Sequence, residues 1–162
     1  AQDYFGTNAG VATFLVIGLG AIGCYIGGAL SDRYGRTALT MTAMALSGLC
    51  AALIGFTFGA APALTLSVAI VWGITIIADS AQFSTAVTEL SSPAYVGTTL
   101  TMQTSVGFGL TIVSIWIIPP LVGAVGWRWA FSFLAIGPFL GVVAMARLRA
   151  APEALQLAGG RR

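Results

Sequence analysis

The chain has 162 residues, 57% of them hydrophobic and only 7% charged, with a mean hydropathy of +0.94. A soluble domain carries about 25% charged residues, so seven bases and five acids cannot cover this surface against water, and the same apolar content excludes disorder. All seven bases are arginine, none forms a run interleaved with aromatics, and no histidine accompanies the two cysteines, which excludes a nucleic-acid footprint and a zinc site.

The surface must therefore face lipid. A spanning helix needs about 20 mostly apolar residues, and five segments qualify: residues 11–30, 38–58, 63–86, 98–122 and 127–148. They run too long for barrel strands and do not alternate apolar with polar. Helix is then the only way for each to satisfy its own backbone in hydrocarbon. The expected fold is an all-α, polytopic bundle of five transmembrane helices within residues 1–150, with a cytoplasmic tail over 151–162. Ahead of the first span, Ala1 leads into Asp3 and Tyr4 without a basic n-region. No signal peptide is expected, and the missing initiator methionine predicts a processed or truncated chain.

The first span carries Gly23 and Gly27, a small-xxx-small pair suited to close helix packing. Cys24 and Cys50 lie in apolar stretches and are expected to be inert packing residues. The loop that follows reads Gly28-Ala29-Leu30-Ser31-Asp32-Arg33-Tyr34-Gly35-Arg36. Gly28 would let backbones approach and Gly35 would permit a sharp turn. Asp32 is an anion able to sit at a helix N-terminus, and the arginines can make bidentate pairs. The second span holds scattered Thr and Ser but no ionisable group, so a peripheral position is expected. Gly55 and Gly59 close it as another small-residue pair.

The third span is more polar, with Ser67, Thr75, Asp79, Ser80, Gln82, Ser84 and Thr85. Asp79 lies below the midplane, and Thr75, Asp79 and Gln82 share one helical face with Trp72 adjacent. An intramembrane carboxylate is a candidate proton carrier or substrate ligand, or else a hydrogen-bonding group between helices. The fourth span is equally polar; Gln103, Gly107, Thr111 and Ser114 line one face as weaker candidates for substrate contact. Both spans should face protein or a wet cavity. Pro119 and Pro120 should bend or end the fourth helix. The fifth span has little beyond Ser132 to hydrogen-bond and should face lipid. Its Gly137 and Gly141 form a third packing pair, and Pro138 should kink it.

Five spans put the chain ends on opposite sides of the membrane. Arg33, Arg36, Arg147, Arg149, Arg161 and Arg162 then share one side and Arg128 takes the other. The positive-inside rule makes the six-arginine side cytoplasmic, with residue 1 outside. Arg128, between Trp127 and Trp129, fits the outer headgroup layer.

The first loop resembles the cytoplasmic signature of the major facilitator superfamily, Gly-x-Leu-(small)-Asp-Arg-x-Gly-Arg, which lies between the second and third helices of each six-helix half. All fixed positions match; Thr37 stands where the family usually continues with another base. The stretch from Glu89 to Gly97 is similar to the family's next cytoplasmic loop, with Val96 in place of its arginine. Gly126-Trp127-Arg128-Trp129-Ala130-Phe131 is similar to the entry to the last helix of a half. The resemblance implies that the five spans are the last five helices of the C-terminal half, in a plasma or inner membrane, and that an N-terminal half is the missing partner.

It further implies alternating-access transport of a small-molecule substrate, with protons as a candidate coupling ion and no cofactor. Gly28, Asp32, Arg33, Gly35, Arg36 and Glu89 would form a gating loop. In it Asp32 would dock on a helix of the other half, and Arg33 or Arg36 would pair with Glu89. The rival reading is a non-transporting structural or accessory fragment, or a truncated paralogue. Five helices of an expected twelve are not expected to transport alone. An intramembrane enzyme is disfavoured: an aspartyl site needs two converging acids, and a serine site needs a histidine partner.

Overall fold

A computed structural model describes residues 6–160. Every regular element among them is helical, and five helical stretches are long and apolar enough to cross a membrane. The first span is helix α1, Ala9–Tyr34. The second is α2, Arg36–Leu53, ending in a 3-10 turn over Ile54–Thr57. The third is α3, Pro62–Leu90, opened by a proline in its first turn, where the missing N–H needs no partner. The fourth is α4, Val96–Val125. The fifth divides into α5, Trp127–Ala130, a 3-10 turn over Ser132–Ala135, and α6, Ile136–Ala150.

A single residue joins α1 to α2. Gly35 has φ +98° and ψ +140°, a conformation open to glycine and strained for any residue with a Cβ. The turn is therefore far shorter than the seven-residue gap that composition suggests, and Asp32 and Arg36 end up one helical turn apart on either side of it.

The most extensive packing lies between α1 and α3. A Cβ on Gly73 would come within 2.6 Å of the Val16 carbonyl, and one on Gly23 would run into the Ile74 carbonyl. Gly27 abuts Ala78. Without side chains on these glycines the backbones approach closely, which is how helices gain contact where lipid supplies no hydrophobic driving force. The other two expected pairs are each half right. Gly55 packs against the Arg128 carbonyl and Gly141 against Met44, whereas Gly59 is a turn residue at φ +87° and Gly137 has open space around it.

The expectation of a peripheral second span is overturned. It is the most enclosed of the five, with α3 on one flank and α6 on the other. Its small residues permit this: Ala43, Ser47 and Ala51 are buried, and Gly48 receives Pro138 and Phe139. Two of its buried hydroxyls find partners within the bundle, while Thr37 Oγ1 is enclosed without one. Thr40 Oγ1 donates to the Arg36 carbonyl at 2.8 Å, and Ser47 Oγ accepts from Trp72 Nε1 at 3.2 Å. Absence of ionisable groups therefore misleads about burial.

The fifth span meets α2 through Pro138, Phe139 and Gly141, while Ile136, Leu140 and Val143 stay exposed. Pro138 interrupts this span rather than bending one helix. It sits in the first turn of α6, and the 3-10 turn over Ser132–Ala135 accommodates the loss of its N–H partner, the Leu134 carbonyl. Pro119 and Pro120 do not end the fourth helix. They lie inside α4, which continues to Val125, as neighbouring groups allow in a membrane helix.

Candidate functional site: an arginine clamp at one end of the bundle

Arg36, the first residue of α2, is drawn inward at the α1–α2 turn; its side chain is only 11% exposed. A buried guanidinium must place its five N–H groups, and here the partners come from two neighbouring helices. Nε and Nη2 donate to the two carboxylate oxygens of Glu89 on α3, both at 2.7 Å. Nη1 donates to Ser31 Oγ on α1 and to Gln82 Oε1 on α3, both at 3.1 Å. Nη2 also lies 3.2 Å from Asp32 Oδ1. The Arg36–Glu89 fork is the bidentate geometry that lysine cannot reproduce.

These contacts sort the expected gating residues. Arg36, not Arg33, pairs with Glu89; Arg33 is exposed, its guanidinium 5.4 Å from the Tyr34 ring centroid. Asp32 leans on Arg36 yet keeps a side chain that is 68% exposed. Gly35 makes the turn, as expected. Gly28 does not make the close approach assigned to it: a Cβ there would meet nothing within 4 Å, and its carbonyl instead accepts from Ser31 Oγ at 2.8 Å. Close approach is the property of Gly27, one residue earlier.

The α3 face bearing Thr75, Asp79 and Gln82 was expected to face protein or a wet cavity, and it faces protein. All three are buried, and the bonds of that face run to α2: Trp72 to Ser47 and Gln82 to Arg36. Thr75 Oγ1 donates to its own helix, at the Val71 and Trp72 carbonyls. Asp79 Oδ1 accepts from Ser80 Oγ at 3.3 Å. Asp79 thus sits in a polar seam between helices, about 16 Å from the Leu90 end at 1.5 Å per residue. Burial of this face follows from the small residues opposite it, Ala43 and Ser47, which the apolar periodicity of α3 alone does not reveal.

On α4 the outcome is different. None of its described residues is buried, and at its first turn the Ser91 and Thr99 hydroxyls meet at 2.9 Å. Thr111 is exposed and its hydroxyl donates to the Gly107 carbonyl. Gln103 Oε1 is enclosed without a hydrogen-bond partner.

Residues 152–160 belong to the site, which sequence reasoning missed in treating 151–162 as a tail. The segment Pro152–Gly160, made of 3-10 turns broken by non-helical backbone at Leu157, Ala158 and Gly159, folds back onto α3. Ala154 and Leu157 are fully buried, in a cluster with Ala86, Leu90 and Leu148. The Ala158 N–H donates to Glu89 Oε2 at 3.1 Å. The available signal was Leu155 and Leu157 following Pro152 in an otherwise short, small-residue stretch.

What results is an electrostatic clamp that ties α1, α2, α3 and the 152–160 segment together. Among the described residues no cluster of His, Cys, Asp or Glu could hold a metal ion. Comparison with protein-family models, with curated proteins and with solved structures finds no match.

Proposed function

We propose that this chain is part of a secondary transporter that works by alternating access, similar to the major facilitator superfamily, with the Arg36 end at the cytoplasm. One observation carries the reading: the acid that Arg36 grips is Glu89, the partner that the loop resemblance implies for it. Contacts of this kind can break and re-form between two states of a bundle that differ by a few kcal/mol. The six-to-one arginine distribution supports the orientation. The uncovered polar length of α4 supports the need for further helices, because hydroxyls and amides facing lipid are costly. In this reading the substrate is a small solute, and Asp79 is the candidate proton site.

The experiment is solute uptake into proteoliposomes by the full transporter containing this chain, driven by an imposed pH gradient. Arg36→Lys and Glu89→Gln should each slow uptake at least tenfold, the loss of about 1.4 kcal/mol of a closing contact. The 162-residue chain alone should show no saturable uptake. Robust uptake by the chain alone, or full activity of both variants, would overturn the proposal.

A further inference from the structure

Glu89 has a second partner that the loop resemblance does not supply. Its Oε2 accepts from both Arg36 Nε and the Ala158 backbone N–H, so a segment beyond the fifth span reaches back to the clamp. The approach is anchored by Leu157, fully buried against the ends of α3 and α6. It is also strained: Ala158 has φ +48° and ψ +38°, a left-handed conformation that a residue with a Cβ rarely adopts. Gly159 follows in the same region without that penalty. A strained residue persists only when its surroundings over-determine it. Here the surroundings are the Leu157 socket on one side and the Glu89 carboxylate on the other.

We propose that residues 152–160 form an intramolecular latch: Leu157 seats on α3 and α6, the Ala158 N–H holds Glu89 in the Arg36 clamp, and displacing the segment loosens the α2–α3 join at that end. The latch needs no second chain. Its strain makes it displaceable, since the docked form holds a backbone conformation that the free segment does not. The role of the join as a gate rests on the transport reading, in which the latch restrains opening of the cytoplasmic end. The latch itself rests only on the packing and the hydrogen bond.

Amide hydrogen exchange on the complete chain in lipid nanodiscs tests it without any solute. Leu157→Ser empties the socket, and Ala158→Pro removes the N–H and forbids a positive φ. Each should speed exchange at residues 87–91 and 39–42 about tenfold, the scale set by losing one hydrogen bond to a charged group. Ala158→Gly keeps the N–H and relieves the strain, so exchange at the same residues should be equal or slower. The proposal falls if residues 152–160 already exchange as open chain in the unaltered protein. It also falls if Leu157→Ser and Ala158→Pro free that segment while 87–91 and 39–42 change less than twofold, or if Ala158→Gly speeds exchange there. Failure of the transport reading would show separately, as absent uptake with the latch protections intact.

Discussion

Removing the Arg36 clamp one partner at a time gives the most demanding test of its geometry. Arg36→Met leaves the Glu89 carboxylate with only the Ala158 N–H, and deprives Gln82 and Ser31 of their donor. Glu89→Gln leaves the guanidinium with one neutral amide oxygen in place of the two-oxygen fork, beside Ser31, Gln82 and the more distant Asp32. Breaking a fully buried pair costs about 3–5 kcal/mol, while exposed pairs contribute about 0.2–1. The two side chains here are 11% and 24% exposed, and Asp32 is a reserve counter-ion at 3.2 Å. We therefore expect about 2 kcal/mol from each single change, between those limits. The double variant should cost less than the sum, because it strands neither charge, leaving a coupling of about 1.5 kcal/mol. Reversible unfolding by steric trapping in bicelles, applied to the chain and its three variants, measures this directly. Additive losses, with coupling below about 0.5 kcal/mol, would mean that the fork does not hold α2 to α3.

Three further outcomes follow from named contacts. Gly73→Ala places a Cβ 2.6 Å from the Val16 carbonyl; the α1–α3 pair must separate, at about 1–3 kcal/mol in the same unfolding assay, whereas Gly107→Ala, with open space around it, should lose nothing. Gly35→Ala forces a Cβ into φ +98° and should cost about 1–3 kcal/mol, read as a lowered thermal midpoint; an unchanged midpoint would mean that the turn relaxes freely. Under the transport reading, Asp79→Asn in the full transporter should abolish the dependence of uptake on a pH gradient while leaving the protein in the membrane, and intact coupling would remove Asp79 from the mechanism.

Much of this architecture is legible in the sequence because lipid simplifies the problem. A segment that must satisfy its own backbone in hydrocarbon reads as a helix by length and apolarity alone, and each expected span falls within an observed helical stretch, except that the second overruns its helix by one residue at Phe58. The loop residues announce themselves for a related reason: two arginines and an acid among apolar spans have few places to go. Helix order across the bundle is less legible. It depends on which small residues face each other, and a Gly-xxx-Gly spacing does not say which glycine meets a neighbour. Gly55 and Gly59 show this, one against the Arg128 carbonyl and the other in a turn. The docking of residues 152–160 was illegible for the same reason, since its anchor is a single leucine whose socket is built by two other segments, α3 and α6.

The third and fourth spans look alike in composition but differ in what their polar groups meet. On α3 the polar face closes against α2, its bonds passing from Trp72–Ser47 to Gln82–Arg36 and on to Glu89. That seam runs from Trp72 to Glu89, about 25 Å along the helix at 1.5 Å per residue, and Asp79 lies within it. On α4 the hydroxyls of Thr101, Thr111 and Ser114 satisfy only their own helix, and Gln103 Oε1 satisfies nothing. Polar groups already spent on helix–helix contact are poorly placed to exchange a solute, whereas hydroxyls bonded only within their own helix keep acceptor capacity for one. Under the transport reading, solute contact from this chain therefore belongs to α4, around the exposed Thr101 and Thr111 rather than the enclosed Gln103 Oε1. Thr75 and Gln82 hold the bundle together, and Asp79 can take part only if a proton reaches it along the seam.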